Sequence, residues 1–156
     1  MKKKTKNRIV TVTALLVVAL GLVWLFSSGG GGSEVEAKII SRNGLHWHAT
    51  LKILIDGQVV QIPSNIGLGT VHNPIHTHED DEVIHLEFSG LVTDKNLTLG
   101  NFFDVWNEEF SSQCILDKCA GSETGKTLIM TVNGTSNTEF ENYMLKDGDE
   151  IVIKYE

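Results

Sequence analysis

Apolar and polar side chains alternate from position 46 to position 55, and no other feature of the chain constrains the fold as strongly. Trp47, Ala49, Leu51, Ile53 and Ile55 fall on one face, and His46, His48, Thr50 and Lys52 on the other. Successive side chains of a strand point to opposite faces, so this run predicts a strand with one face on a core and one in water. Asp56-Gly57 follows, the dipeptide suited to a two-residue type I′ turn. The chain then returns as a partner strand over residues 58–62, which Pro63, having no N–H for a ladder, should end. A tight hairpin sets Ile55 opposite Gln58 and Leu51 opposite Ile62; continued, it sets His48 opposite Asn65 and His46 opposite Gly67. The histidine end is then where the second strand runs out into a loop over residues 64–81.

Residues 82–88 alternate again, with Ile84, Leu86 and Phe88 against Val83, His85 and Glu87. Thr98 is a candidate N-cap. Leu99, Phe102, Phe103, Trp106 and Phe110 then recur at helical spacing, an apolar stripe that predicts a helix with its aromatic face in the core. Residues 127–132 predict a strand ended by Asn133-Gly134. Asp147-Gly148 is a further turn, and residues 150–155 predict the last strand. The order β-β-β-α-β-β predicts an α+β fold, a mixed or antiparallel β-sheet packed on one helix.

The first 26 residues differ in kind. Five basic residues (Lys2, Lys3, Lys4, Lys6, Arg8) precede an 18-residue run, positions 9–26, whose only polar side chains are Thr11 and Thr13. As a helix that run is about 27 Å long, enough to cross the hydrocarbon of a bilayer. The lysines would hold the N-terminus inside, which predicts a single-pass anchor in the cytoplasmic membrane with all that follows outside. A cleaved secretory signal is the alternative; the run is long for one, and no clear A-x-A site follows. Residues 27–35 contain a Gly/Ser tether, Ser27-Ser28-Gly29-Gly30-Gly31-Gly32-Ser33. The expected division is therefore 1–26 stub and anchor, 27–35 linker, and 36–156 extracytoplasmic domain.

All six histidines lie between positions 46 and 85: His46, His48, His72, His76, His78 and His85. His46-Trp47-His48 and His76-Thr77-His78 are both H-x-H. On a strand, i and i+2 share a face about 6.6 Å apart, so two imidazoles can converge on one ion. The proposed hairpin carries the first pair towards the loop that holds the second. A metal site is the economical reading, with His46, His48, His76 and His78 ranked first, then His85, then His72. Glu79, Asp80, Asp81 and Glu82 follow directly, either as ligands or partners of the histidines or as a solvated acidic turn. A nitrogen-rich site with no Cys or Met close by in sequence points to Cu(II), Zn(II) or Ni(II) rather than Cu(I), and a divalent transition metal, Cu(II) or Zn(II), is the one expected.

Cys114 and Cys119 stand outside the C-x-x-C redox spacing, and in an oxidising compartment they predict a structural disulfide. Residues 27–156 hold 8 basic and 20 acidic side chains, a formal −12. Such a domain repels nucleic acid and suits cations.

Three resemblances carry these motifs further. His76-Thr77-His78 with Glu82 resembles the first cupin motif, H-x-H-x3-E, which implies three metal ligands and an enzyme; a downstream histidine motif would complete it, and no His follows His85. The stretch Leu145-Lys146-Asp147-Gly148-Asp149-Glu150-Ile151-Val152-Ile153 resembles the tail of ubiquitin-like β-grasp domains. The sequence ends Lys-Tyr-Glu rather than Gly-Gly, so that resemblance implies a fold and no carrier role. Positions 46–106 resemble a group of prokaryotic membrane-anchored extracytoplasmic proteins. Its motifs read here as His46-Trp47-His48, Asp56-Gly57, His76-Thr77-His78, Ile84-His85-Leu86-Glu87 and Leu99-Gly100-Asn101-Phe102-Phe103-Asp104-Val105-Trp106. That resemblance implies a shared site without a mechanism.

The expected function is extracytoplasmic binding of a divalent transition metal for sequestration, delivery or sensing, with enzymatic activity left open. A metal-dependent hydrolase or hydratase and a structural partner-binding module stand as rivals. The sequence has no Ser-His-Asp pattern, no P-loop and no dinucleotide fingerprint. It names no protein partner.

Overall fold

The hairpin forms at the predicted turn: Asp56 and Gly57 take φ of 51° and 78°, the positive pair a type I′ turn requires. The structure, a computed structural model, describes residues 36–79 and 81–156. In chain order the strands are β1 (Ile39–Ser41), β2 (Leu45–Ile55), β3 (Gln58–Val60), β4 (Ile75–His76), β5 (Val83–Phe88), β6 (Val92–Thr93), β7 (Cys114–Ile115), β8 (Lys118–Cys119), β9 (Leu128–Val132), β10 (Thr135–Asn137) and β11 (Asp149–Tyr155). The helix α1 (Leu99–Trp106) lies between β6 and β7. The protein is α+β, as expected.

Among the described residues seven strands make the main sheet, in the order β10-β9-β11-β2-β5-β4 with β3 also on β2. It is a mixed sheet: β11 runs parallel to β2, from Asp149 beside Ala49 to Tyr155 beside Ile55, and the other pairings are antiparallel. The inward face of β2 supplies Ala49, Leu51 and Ile53, all buried, and β5 adds Ile84 and Leu86. Phe102 and Phe103 of α1 are buried in the same core. The helix lies close to the 3-10 turn Phe140–Asn142, where a Cβ on Gly100 would stand 2.8 Å from the Glu141 carbonyl oxygen.

Three expectations need correction. The hairpin does not continue to His48 and His46. β3 leaves β2 after Val60, and β5 takes over the same edge, setting His48 beside His85 and His46 beside Glu87. The cause is local: Pro63 cannot donate, its carbonyl accepts from the Thr77 hydroxyl at 2.8 Å, and the Leu51 N–H goes to Glu82 at 2.8 Å rather than to Ile62. Second, the expected loop over 64–81 contains β4, paired to β5 through Ile75 with Leu86 and His76 with His85. Third, α1 stops at Trp106. Asn107 adopts left-handed φ of 62° and its N–H returns to Asp104, while the Glu108 N–H returns to Phe103 at 3.0 Å. Phe110 therefore reaches the aromatic cluster from beyond the helix, its ring 4.3 Å from that of Phe103 and stacked on it.

The anchor expected over residues 9–26 and the linker over 27–35 lie outside the described residues. Among the described residues no helix is long and apolar enough to cross a membrane.

Candidate metal centre

Three neighbouring strands each carry a histidine at one register position: His48 on β2, His85 on β5 and His76 on β4. Side chains directly opposite on paired strands share a face. The inward residues of β2 and β5 fill the core, so this row lies on the other face of the sheet. His46 and Glu87 form the next pair along β2 and β5. The rings of His48 and His85 are 4.8 Å apart, those of His76 and His85 5.5 Å and those of His78 and His85 4.6 Å. His85 is the centre of the group.

The nitrogens converge in pairs. His46 Nε2 lies 3.2 Å from His48 Nε2, and His76 Nε2 lies 3.1 Å from His78 Nε2. Four tetrahedral ligands at 2.0–2.1 Å from an ion stand about 3.3 Å from one another, so both H-x-H pairs already hold nearly the spacing of two ligands on one centre. Glu87 Oε1 adds an oxygen 3.3 Å from His46 Nε2 and 4.0 Å from His85 Nδ1. Two triads can each offer one ligand atom per residue with all three atoms within 4.8 Å: His46, His48 and His85, and His76, His78 and Glu87.

The framework holds these rings by specific contacts. The Asn73 carbonyl can only accept, so its 2.9 Å contact places the proton of His76 on Nδ1 and leaves the Nε2 lone pair for the site. Thr77, between the two histidines, is buried and points the other way. Its hydroxyl donates to the Pro63 carbonyl and accepts from the Ile66 N–H at 3.1 Å, tying β4 to the chain that leaves the hairpin. Gly67 supports the same place: at φ of 75° a Cβ there would stand 2.7 Å from the Ile75 carbonyl oxygen. The His48 N–H donates to Asp147 Oδ1 at 3.0 Å, which ties β2 to the turn before β11.

Burial grades across the row. His76 is buried, the His85 side chain is 18% exposed, and that of His46 is 63% exposed. Burial lowers the pKa of His76, against the raising effect of the Asn73 carbonyl; burial, then His78, His48 and His76, lowers that of His85. Both rings are thus biased to the neutral form, the form that binds a metal. His85 Nδ1 is buried without a hydrogen-bond partner.

Five of the six predicted histidines come together. His72 does not: it is exposed, forms a backbone bridge with Leu68 and belongs to neither triad. Glu79, Asp81 and Glu82 lie on bends before β5. Asp81 Oδ1 accepts from the Val83 N–H at the start of β5, and Glu79, Asp81 and Glu82 lie outside both triads; Asp80 is outside the described residues. Glu82, the acid of the cupin-like motif, is therefore not the carboxylate of the site. Glu87, the i+2 neighbour of His85 on β5, joins the second triad instead.

Cys114 and Cys119 form the expected disulfide on the β7–β8 hairpin. Glu109 is close to both sulfurs, but neither sulfur is a thiolate, so this group is no soft-metal site. Comparison with protein-family models, curated proteins and solved structures finds no match to this chain.

Proposed function

We propose that this protein binds a divalent transition metal, Cu(II) or Zn(II), through its histidine cluster, and that it does so outside the cytoplasm while anchored by residues 9–26. The observation that carries the reading is the row His48-His85-His76 across three strands, with an H-x-H pair converging at each end. Metal sequestration, delivery or sensing are the roles that follow. The resemblance of positions 46–106 to membrane-anchored extracytoplasmic proteins supports the placement. The fold reading that goes with it is β-grasp-like: a first hairpin, a helix, a second hairpin, and a last strand lying parallel to the first between the two hairpins.

A second reading, a metal-dependent hydrolase or hydratase, draws on one observation. A carboxylate sits among the ligands and the His46 side is open, so a bound ion there could keep a position for water. The cavity of about 310 Å³ between β4 and α1, lined by Asn73, Ile75, Phe88, Asn101, Asp104 and Val105, has no triad residue in its wall.

The test is calorimetric titration of the full-length chain, purified in detergent and stripped with chelator, with Cu(II) and with Zn(II). A variant with His46, His48, His76 and His78 changed to Ala runs beside it, its fold checked by circular dichroism. Tight binding lost in the variant is expected. Binding no tighter than ~10 μM by the parent protein would overturn the reading. Hydrolysis of an activated ester by the Zn(II)-loaded protein, above the rate of free Zn(II) and absent from the variant, would move the second reading to the front.

A further inference from the structure

We propose that the cluster holds two ions at once, one on His46, His48 and His85 and the other on His76, His78 and Glu87, with the Glu87 carboxylate between them. This rests on the metal-binding reading above and adds to it the number of ions and the residue that couples them.

Six ligand atoms exceed what one tetrahedral ion takes, and they divide cleanly: the two triads have no member in common. Each triad contains one H-x-H pair already near ligand spacing. The triads nevertheless abut. The His85 ring of the first lies 4.6 Å from the His78 ring of the second and stacks on the His76 ring. Glu87 is counted with His76 and His78, yet its Oε1 is 3.3 Å from His46 Nε2 and 4.0 Å from His85 Nδ1, in the first triad. A carboxylate has two oxygens and can give one to each ion, as in sites where two metals stand about 3.5–4 Å apart. Its negative charge also offsets the repulsion between two dications at that distance, in a domain whose formal charge is already −12 over residues 27–156. His85 Nδ1, buried and unpartnered, faces the same carboxylate.

Stoichiometry decides the matter. Full-length protein in detergent is stripped, loaded with excess Zn(II) or Cu(II), desalted and assayed for metal per chain by mass spectrometry. Two variants use exposed residues, so that the fold is spared: His46→Ala with His48→Ala, and His78→Ala with Glu87→Gln. Two ions in the parent and one in each variant are expected. For Cu(II), the electron paramagnetic resonance signal per ion should weaken and broaden between one and two equivalents, as neighbouring spins couple. Glu87→Gln alone should weaken the second ion on the order of 10-fold or more, and the first, which keeps three histidines, by less. One ion in the parent, lost in either variant, would overturn the two-ion proposal and leave the metal-binding reading standing. Two ions that survive in both variants would place the sites elsewhere and overturn it as well. No ion in the parent would overturn both.

Discussion

His48 and His85 face each other in register across β2 and β5, rings edge to face with centroids 4.8 Å apart. Neither is adjacent to the other in sequence, and the pairing arises only because β3 gives up the edge of β2 after Val60. Charging one ring therefore raises the cost of charging its neighbours.

The consequence is a pH dependence with a definite sign. His76 and His85 have pKa values lowered by burial from about 6.5, so the unfolded chain takes up protons first as pH falls. The contribution of these two rings to the stability of the metal-free protein is full above pH ~6.5, declines as pH drops through that value, and levels off below their lowered folded pKa values. Urea midpoints of the chelator-treated protein should be lower at pH 5.5 than at pH 8, and saturating Zn(II) should widen the gap. An unchanged midpoint would show that the rings are not held neutral.

Thr77 should matter more than its bulk suggests. Thr77→Val keeps the shape but leaves the Pro63 carbonyl without the hydroxyl donor and the Ile66 N–H without its acceptor. The loss should be about 1–3 kcal/mol in denaturant unfolding, with metal affinity at His76 and His78 reduced because β4 loosens. A stable variant with normal affinity would mean that the hydroxyl does not hold the strand.

Asp149 anchors the other side of the sheet. It is buried and accepts from the Tyr143 hydroxyl and the Lys146 N–H, each at 2.8 Å, and from Asn133 Nδ2 at 3.0 Å. Burial first, and then this carboxylate, push the Tyr143 phenol above its ordinary value. Tyr143→Phe should cost about 1.5–3 kcal/mol, the range for a hydrogen bond to a charged group, while leaving metal stoichiometry intact. Thermal unfolding and metal analysis on the same sample would check both halves.

The disulfide closes a short loop on a hairpin separate from the main sheet. By loop entropy alone, replacing Cys114 and Cys119 with Ser should lower stability by about 2 kcal/mol. Metal content should not change. A variant that lost its metal would implicate the sulfurs or their hairpin in the site.

The local rules served well wherever a residue's partner was close in sequence. Asp56-Gly57 formed its turn, Thr98 caps α1 by accepting from the Asn101 N–H, and the two faces of β2 and β5 sort as their alternation predicts. The β9–β10 hairpin had its own signal in Asn133-Gly134, whose φ values of 52° and 76° repeat the type I′ pattern, but the short polar return strand after it has no alternation to read. Long-range register was illegible. Nothing in the alternation of residues 82–88 says that their partner is β2, and two residues, Ile75 and His76, are too short a strand to show any period. The histidines could be grouped because H-x-H is itself a local signal. Glu87 could not be ranked, because its claim depends on lying beside His46, forty-one positions away.

The position of β11 sets an order of assembly. The strand that supplies His46 and His48 has β11 as its partner on one edge, and that partner is the last strand in the sequence, Ala49 lying beside Asp149. Every candidate ligand lies on or beside β2, β4 and β5, which pair with one another and lie well before β11 in the sequence. Contacts of such long separation form slowly compared with hairpins. The histidine row of β2, β5 and β4 can therefore pair while the other edge of β2 still waits for β11, which inserts into the middle of the sheet after all of them.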